Sequence, residues 1–410
     1  MNKGNYKYLI ATVMFAGLMI QNILWFAPAP FLSVIVDELG MNMMQGGLVV
    51  SIVGLMTALA GAFMGEFFGR IGVRRTFAAA LVLMATGSFL SLVVSGFATI
   101  LLSRILMGMG FGFCLPVAGS VIMTFFPAEQ RPYLNTVNSL LPYFATVVTF
   151  SLTIPLFVLF GDSWRIVMAI PGFLAVGALV VWLSLYQEKR IGEFHEQHEP
   201  EARLSRHALR EVLRNREVKL ITVAEICDLW SFQFTTTYLP TFFFLEAGLS
   251  LSRANSLMSL FPVAGVFAGI TCGIWMSRMG LRKPFTWPLH TMIFAGTTLA
   301  LFGTGPVRIL GVFLAGFGNA GWAPALFTMP MEFENMTPQK VGVVYSLMLS
   351  TGFFASFVSP FLGGFLTNWF SLRTVIFLFS TSSLIAAGST FLMKETGCLR
   401  RVRTTLPENP

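Results

Sequence analysis

Twelve stretches of this 410-residue chain stay apolar for about twenty residues or more, the length needed to cross the hydrocarbon of a bilayer. They run approximately over 8–35, 44–64, 76–95, 98–123, 134–160, 165–186, 218–246, 252–277, 285–304, 307–331, 341–369 and 372–393. Lipid gives a backbone no hydrogen-bond partner, so such stretches must be helices that satisfy their own peptide groups. The first is too long for a cleavable signal peptide and runs into Pro28, Pro30 and Asp37-Glu38 rather than a small-residue cleavage site. Charged residues make up 11% of the chain and hydrophobic ones 55%, so too few polar side chains remain to coat a water-soluble fold. The expectation is an all-α, multi-pass protein of the cell inner membrane with the lipid bilayer as its surroundings.

Several chemistries are excluded at the same stage. Cys114, Cys227, Cys272 and Cys398 are too far apart for a metal motif or a disulfide framework. No Gly-x-x-x-x-Gly-Lys-Ser/Thr loop is present to cradle a nucleotide phosphate, and no Ser/His/Asp constellation sits on the polar loops. No cofactor, no metal and no enzymatic activity are expected. The net charge of +8 does not imply a nucleic-acid partner, because the basic residues are sorted by side of the membrane. With the N-terminus inside, 22 of the 27 Lys and Arg fall on cytoplasmic segments. Only Arg165, Arg253, Arg308 and Arg373 lie outside, and Arg104 falls within span four. Both termini are therefore expected in the cytoplasm.

The longest polar stretch separates six spans from six. The expected organisation is an N-terminal bundle over 1–186, a linker over 187–217, a C-terminal bundle over 218–397 and a tail over 398–410. Arg203, Arg206, Arg210, Arg214 and Arg216, with Leu204, Ala208, Val212 and Leu213 at helical spacing, suit a cationic helix on the inner surface or a solvated linker helix. A shift of 208 residues superimposes the halves. Glu38 and Gly40 fall on Glu246 and Gly248, Gly72 on Gly280, Gly108 and Gly110 on Gly316 and Gly318, and Arg165 on Arg373. A parallel duplication of six helices is one of the repeat schemes of secondary transporters.

Two loops carry a resemblance to a known family. Gly65-Glu66-Phe67-Phe68-Gly69-Arg70-Ile71-Gly72-Val73-Arg74-Arg75 and Gly273-Ile274-Trp275-Met276-Ser277-Arg278-Met279-Gly280-Leu281-Arg282-Lys283 resemble the paired Gly-x-x-x-Asp-Arg-x-Gly-x-Arg-Arg/Lys loops of the major facilitator superfamily. Arg104-x-x-x-Gly108-x-Gly110-x-Gly112 and the closing Lys394-Glu395-Thr396-Gly397 are similar to further family motifs. The resemblance implies twelve helices in two repeats and an inner gate at Arg70, Arg74, Arg278 and Arg282. Gly69 and Ser277 stand at the aspartate position, and Glu66 is the nearby carboxylate available to replace it. Span five has no glycine, which lowers the case for a drug/proton antiporter.

Ionisable residues inside a bilayer are costly and mark functional positions. Glu225 and Asp228 are three apart, on one face of span seven, and Asp228 is the expected proton carrier with Glu225 beside it. Arg104 is expected to aid coupling and to offer a fixed positive charge to an anionic solute. By the family's arrangement the cavity lining includes Gln21, Asn22, Trp25, Asn138, Tyr143, Gln233, Tyr238, Asn319, Trp322 and Tyr345, with Asn319 the foremost neutral residue. His290, on peripheral span nine, reads as a packed or interfacial histidine.

The resulting expectation is a monomeric secondary transporter that moves a small organic anion or metabolite with protons by alternating access. The alternatives are proton-driven efflux of drugs or toxic hydrophobic compounds, and a transport-dead sensor on the same scaffold.

Overall fold

The computed structural model describes residues 3–127, 130–187, 212–334 and 336–397. Within its helices the side chains of residues 3–4, 62, 64–70, 115, 132, 135–136, 139 and 338–339 are outside the description. Most of the expected surface helix (187–217) and the tail over 398–410 lie outside the described residues. Among those described, every regular element is helical. The first half comprises α1 (Lys3–Phe26), α2 (Leu32–Glu38), α3 (Met43–Ile71), α4 (Val73–Leu90), α5 (Phe97–Phe125), α6 (Arg131–Leu159) and α7 (Trp164–Leu185). The second comprises α8 (Arg216–Leu245), α9 (Leu251–Met258), α10 (Leu260–Met279), α11 (Trp287–Phe302), α12 (Gly305–Gly321), α13 (Ala323–Glu332), α14 (Pro338–Leu366), α15 (Leu372–Ser380) and α16 (Ser382–Phe391).

Among the described residues, ten spans are long and apolar enough to cross a membrane by length and composition. The other two of the expected twelve are α8, which carries Arg216, Glu217, Lys219, Glu225 and Asp228, and α11, which has 16 residues. Side chains such as Phe63, Phe173, Trp275 and Trp369 are more than 60% exposed, a surface suited to lipid and not to water.

The repeat is visible in the backbone. α3 and the α9–α10 pair begin and end 208 residues apart, at Met43–Ile71 and Leu251–Met279. The loop glycines Gly72 and Gly280 both have positive φ, at 80° and 63°, where a side chain would be strained. Small residues set the helix spacing. A Cβ on Gly108 would meet Met56 Cβ at 2.6 Å, and one on Gly316 would meet Phe261 O at 2.1 Å. Backbones this close are typical of helix pairs that associate in lipid. Pro262 and Pro324 each follow a break, between α9 and α10 and between α12 and α13, because a proline N cannot close the preceding turn. Pro142 and Pro240 stay inside α6 and α8.

The chain divides into two compact units. Unit 1 contains Met1–Glu199, Thr237–Ser256 and Pro360–Trp369. The last two segments, expected in the C-terminal bundle, join it through close main-chain contacts. Tyr238 Oη donates to the carbonyls of Met43 and Pro360, each at 2.9 Å. A Cβ on Gly47 would lie 2.2 Å from Pro360 O, and one on Gly364 2.3 Å from Met43 O. Asn255 Nδ2 adds a bond to Pro30 O at 3.2 Å. Near the start of α7, Trp164 Nε1 and Arg165 both donate to the Glu38 carboxylate at the end of α2.

Unit 2 contains Pro200–Thr236, Leu257–Ser359 and Phe370–Pro410. Its core packs Ala224, Cys272, Leu289, Trp322, Ala325, Val344 and Met348 together. α16 holds α8 through small polar side chains. Ser382 Oγ donates to Cys227 O at 3.0 Å, Ser389 Oγ to Leu220 O at 2.7 Å, and Ser383 and Ser231 hydroxyls meet at 3.2 Å. These bonds fix the rotation of α8 about its axis.

Candidate functional site

With α8 so oriented, Glu225 and Asp228 both point inward, at 4% and 5% exposure. Asp228 is met by α12. Asn319 Nδ2 donates to both carboxylate oxygens, at 3.2 Å each. From α11, His290 Nδ1 stands 3.8 Å from Asp228 Oδ1, and its ring packs on Trp322 with centroids 4.5 Å apart. Among the described residues no lysine or arginine pairs with Asp228. Glu225 sits one turn away and packs toward Gly352, where an added Cβ would lie 3.5 Å from its Cγ. An acid of this kind, neutral when protonated and held by the Asn319 amide when ionised, is chemically able to take up and release a proton.

The cluster belongs to one repeat only. Shifting back by 208 residues places Ile20, Phe111 and Val82 where Asp228, Asn319 and His290 stand. Asp228 and Asn319, each singled out separately from the sequence, are thus brought together, with Trp322 beside them against His290. His290 is packed rather than interfacial, the first of its two expected settings, and the side it is packed on is that of the acid. A helix's position in the chain does not reveal which way one of its side chains faces.

Arg104 is the next residue that the sequence singles out. It is fully buried, and its guanidinium is occupied by main-chain oxygens. Nη1 donates to Leu24 O at 2.6 Å, Nη2 to Trp25 O at 2.7 Å and Nε to Val49 O at 3.1 Å. The cause lies in Pro28. Having no N–H, it leaves Leu24 O without its helical partner, and α1 ends at Phe26. Arg104 completes the hydrogen bonding of that break, as lipid would not. Its geometry is that of a strap on α1, not of a contact to an anionic solute.

Tyr238 is likewise occupied by Met43 O and Pro360 O and is fully buried, so it seals main chain and lines no open surface. Tyr345 Oη donates to Phe327 O. Asn22 Nδ2 bonds back to Leu18 O at 2.8 Å on its own helix. Trp25 stacks on Phe111 at 5.8 Å. Gln233 is buried, whereas Gln21, Asn138 and Tyr143 are half-buried. Gln21 Oε1 has no hydrogen-bond partner.

Of the basic loop residues, the side chains of Glu66 and Arg70 lie outside the described residues. Arg74 Nη2 donates to Leu183 O at 2.8 Å, and Arg278 is exposed. Arg282 makes the densest contacts: Nη2 and Nε reach Glu332 at 2.8 and 3.2 Å. Thr396 Oγ1 donates to Glu332 at 2.8 Å, while Glu395 accepts the backbone N–H groups of Arg282 and Lys283. Glu332 supplies the negative charge that Ser277 cannot. Sequence reasoning passed over Glu332; its signal is an acid at the end of α13 matching an unneutralised basic loop.

These paired loops and repeated helices agree with what comparison finds. Residues 14–335 match the profile of the Major Facilitator Superfamily. The chain belongs to that superfamily. A probable galactarate/D-glucarate transporter of Bacillus subtilis is 24% identical over 403 residues, covering 89% of this chain and 86% of that one. A D-galactonate transporter of Escherichia coli is 22% identical over 436 residues, covering 97% of each. A bacterial homolog of the human lysosomal transporter Spinster, solved in an inward-facing and unoccupied conformation, shares the fold with a TM-score of 0.81. Its identity is 14%, over 94% of this chain and 96% of that one. This superfamily member is a multi-pass membrane protein and a secondary transporter of small solutes, not an enzyme.

Proposed function

We propose that the protein is a proton-coupled symporter of a small organic anion, specifically a sugar acid, and that Asp228 carries the proton. One observation bears most of the weight: a carboxylate 5% exposed in an apolar core, held by Asn319 and compensated by no lysine or arginine among the described residues. A permanent buried charge of that kind is costly, so the group is better suited to a proton-linked role than to a structural one. The sugar-acid assignment rests on the galactarate/D-glucarate and D-galactonate relatives, and no longer on Arg104, whose donors are engaged. The excess of basic residues on alternate loops supports cytoplasmic termini.

The test is uptake of labelled D-galactonate and D-glucarate into proteoliposomes. An inward proton gradient should drive accumulation that a protonophore abolishes. Asp228→Asn should lose accumulation yet retain counterflow exchange, because a neutral amide cannot unload a proton. Full gradient-driven accumulation in that variant would exclude Asp228, and accumulation indifferent to the gradient would exclude symport.

A further inference from the structure

His290 is the one group in the Asp228 cluster whose state the packing leaves unexplained. Its ring is wholly buried, yet neither Nδ1 nor Nε2 has a hydrogen-bond partner among the described residues. A neutral imidazole always carries one N–H donor and one acceptor nitrogen. Burying such groups unpaired destabilises a fold, so a histidine kept in this position needs a partner at some stage of its working cycle. Among the described residues the only acid within ion-pair distance is Asp228, whose Oδ1 lies 3.8 Å from Nδ1. That gap is about 1 Å longer than a hydrogen bond, within what a small ring or carboxyl rotation closes.

We propose that His290 is the second holder of the coupled proton, which passes between Oδ1 of Asp228 and Nδ1 of His290. The proposal rests on the reading of Asp228 as the proton site. In the transfer the O–H bond of the carboxyl breaks and an N–H bond forms on the ring; nothing is oxidised or reduced. With one proton the pair is neutral in both arrangements, as carboxyl beside imidazole or as carboxylate beside imidazolium. The proton therefore moves without creating the isolated buried charge that a single carrier would leave.

The surroundings favour this exchange. Asn319 donates to both oxygens of Asp228, which supports the carboxylate once the proton has left. The other titratable groups near the pair are Glu225 and Cys227 on α8 and Cys272 on α10, at the edge of the Trp322 core. Among the described residues no fixed cation there competes with an imidazolium. Three further histidines, His195, His198 and His207, fall in the linker, so a ring signal from within the spans is assignable by a single variant.

The test compares wild type, His290→Gln and Asp228→Asn in proteoliposomes with labelled D-galactonate as probe, alongside ring-nitrogen NMR of histidine-labelled protein titrated with acid. Glutamine keeps polarity but cannot hold a proton. His290→Gln should lower gradient-driven accumulation by about tenfold or more, with counterflow retained. In the NMR, wild type should show a His290 imidazolium that is missing from Asp228→Asn at the same pH. Wild-type accumulation in His290→Gln, with Asp228→Asn inactive, overturns the role of His290 and leaves Asp228 standing. Wild-type accumulation in both variants removes the Asp228 reading as well. Should His290→Gln lose counterflow too, or should galactonate not be carried, the NMR decides: a ring neutral throughout, alike in wild type and Asp228→Asn, refutes the shared proton.

Discussion

Replacing Arg104 with lysine separates a strap from a substrate contact. The guanidinium donates to three buried carbonyls between 2.6 and 3.1 Å, one of them orphaned by Pro28. Hydrogen bonds to charged groups contribute about 1.5–3 kcal/mol each, and a buried acceptor left bare costs about 1–3 kcal/mol. Lysine keeps the charge but is a single point donor, without the fork that spans Leu24, Trp25 and Val49 together. At least one carbonyl is then left unpaired, so Arg104→Lys should destabilise the fold by about 1–3 kcal/mol. Arg104→Met strips all three, roughly 3–9 kcal/mol against a typical total of about 5–15, and should not yield folded protein. The assay is thermal melting of detergent-purified protein by tryptophan fluorescence, combined with KM for D-galactonate in counterflow. Arg104→Lys should melt several degrees lower with KM unchanged. A wild-type melting temperature with a KM raised about tenfold would put the guanidinium in the solute site and refute the strap.

Three further outcomes follow from close contacts. Gly47→Ala brings a methyl to 2.2 Å from Pro360 O, so the contact at Tyr238 should not form; transport should stop, and a cysteine at Met43 should react faster with impermeant maleimide than in an otherwise unchanged chain. Tyr238→Phe removes the shared donor without a clash, so the same labelling should rise by about 5–30-fold, as expected for a loss of about 1–2 kcal/mol, and an unchanged rate would deny the hydroxyl that role. Glu332→Gln keeps the shape but removes the charge facing Arg282 and should lower the melting temperature, an effect absent if Arg282 is held mainly by its Met276 O contact.

The sequence carried the repeat well because duplication preserves spacing: Gly40 and Gly248, like Gly72 and Gly280, turn with the same backbone sign. Helix ends followed for the same reason, since hydrophobic length is read directly. The contacts of Arg104 were not legible because its partners are peptide oxygens, 55 to 80 residues away, and the effect of a proline on its neighbours leaves no residue-type signature. Asp228 and Asn319 were legible singly as polar groups in apolar spans. Their meeting, and the approach of His290, depend on helix rotation, which the serines of α16 set and which no pattern within α8 or α11 displays.

The absence of a mirror image for the Asp228 cluster has a consequence for how the two repeats have diverged. Where the second copy keeps an acid, an amide and an imidazole, the first keeps isoleucine, phenylalanine and valine, and its own buried cation serves its backbone. Duplication supplied two like scaffolds, and only the second carries these three polar groups. The loss of any one of them has no counterpart in the first copy to make it good, just as the Pro28 break and its Arg104 strap have only Thr236 and Val312 opposite them.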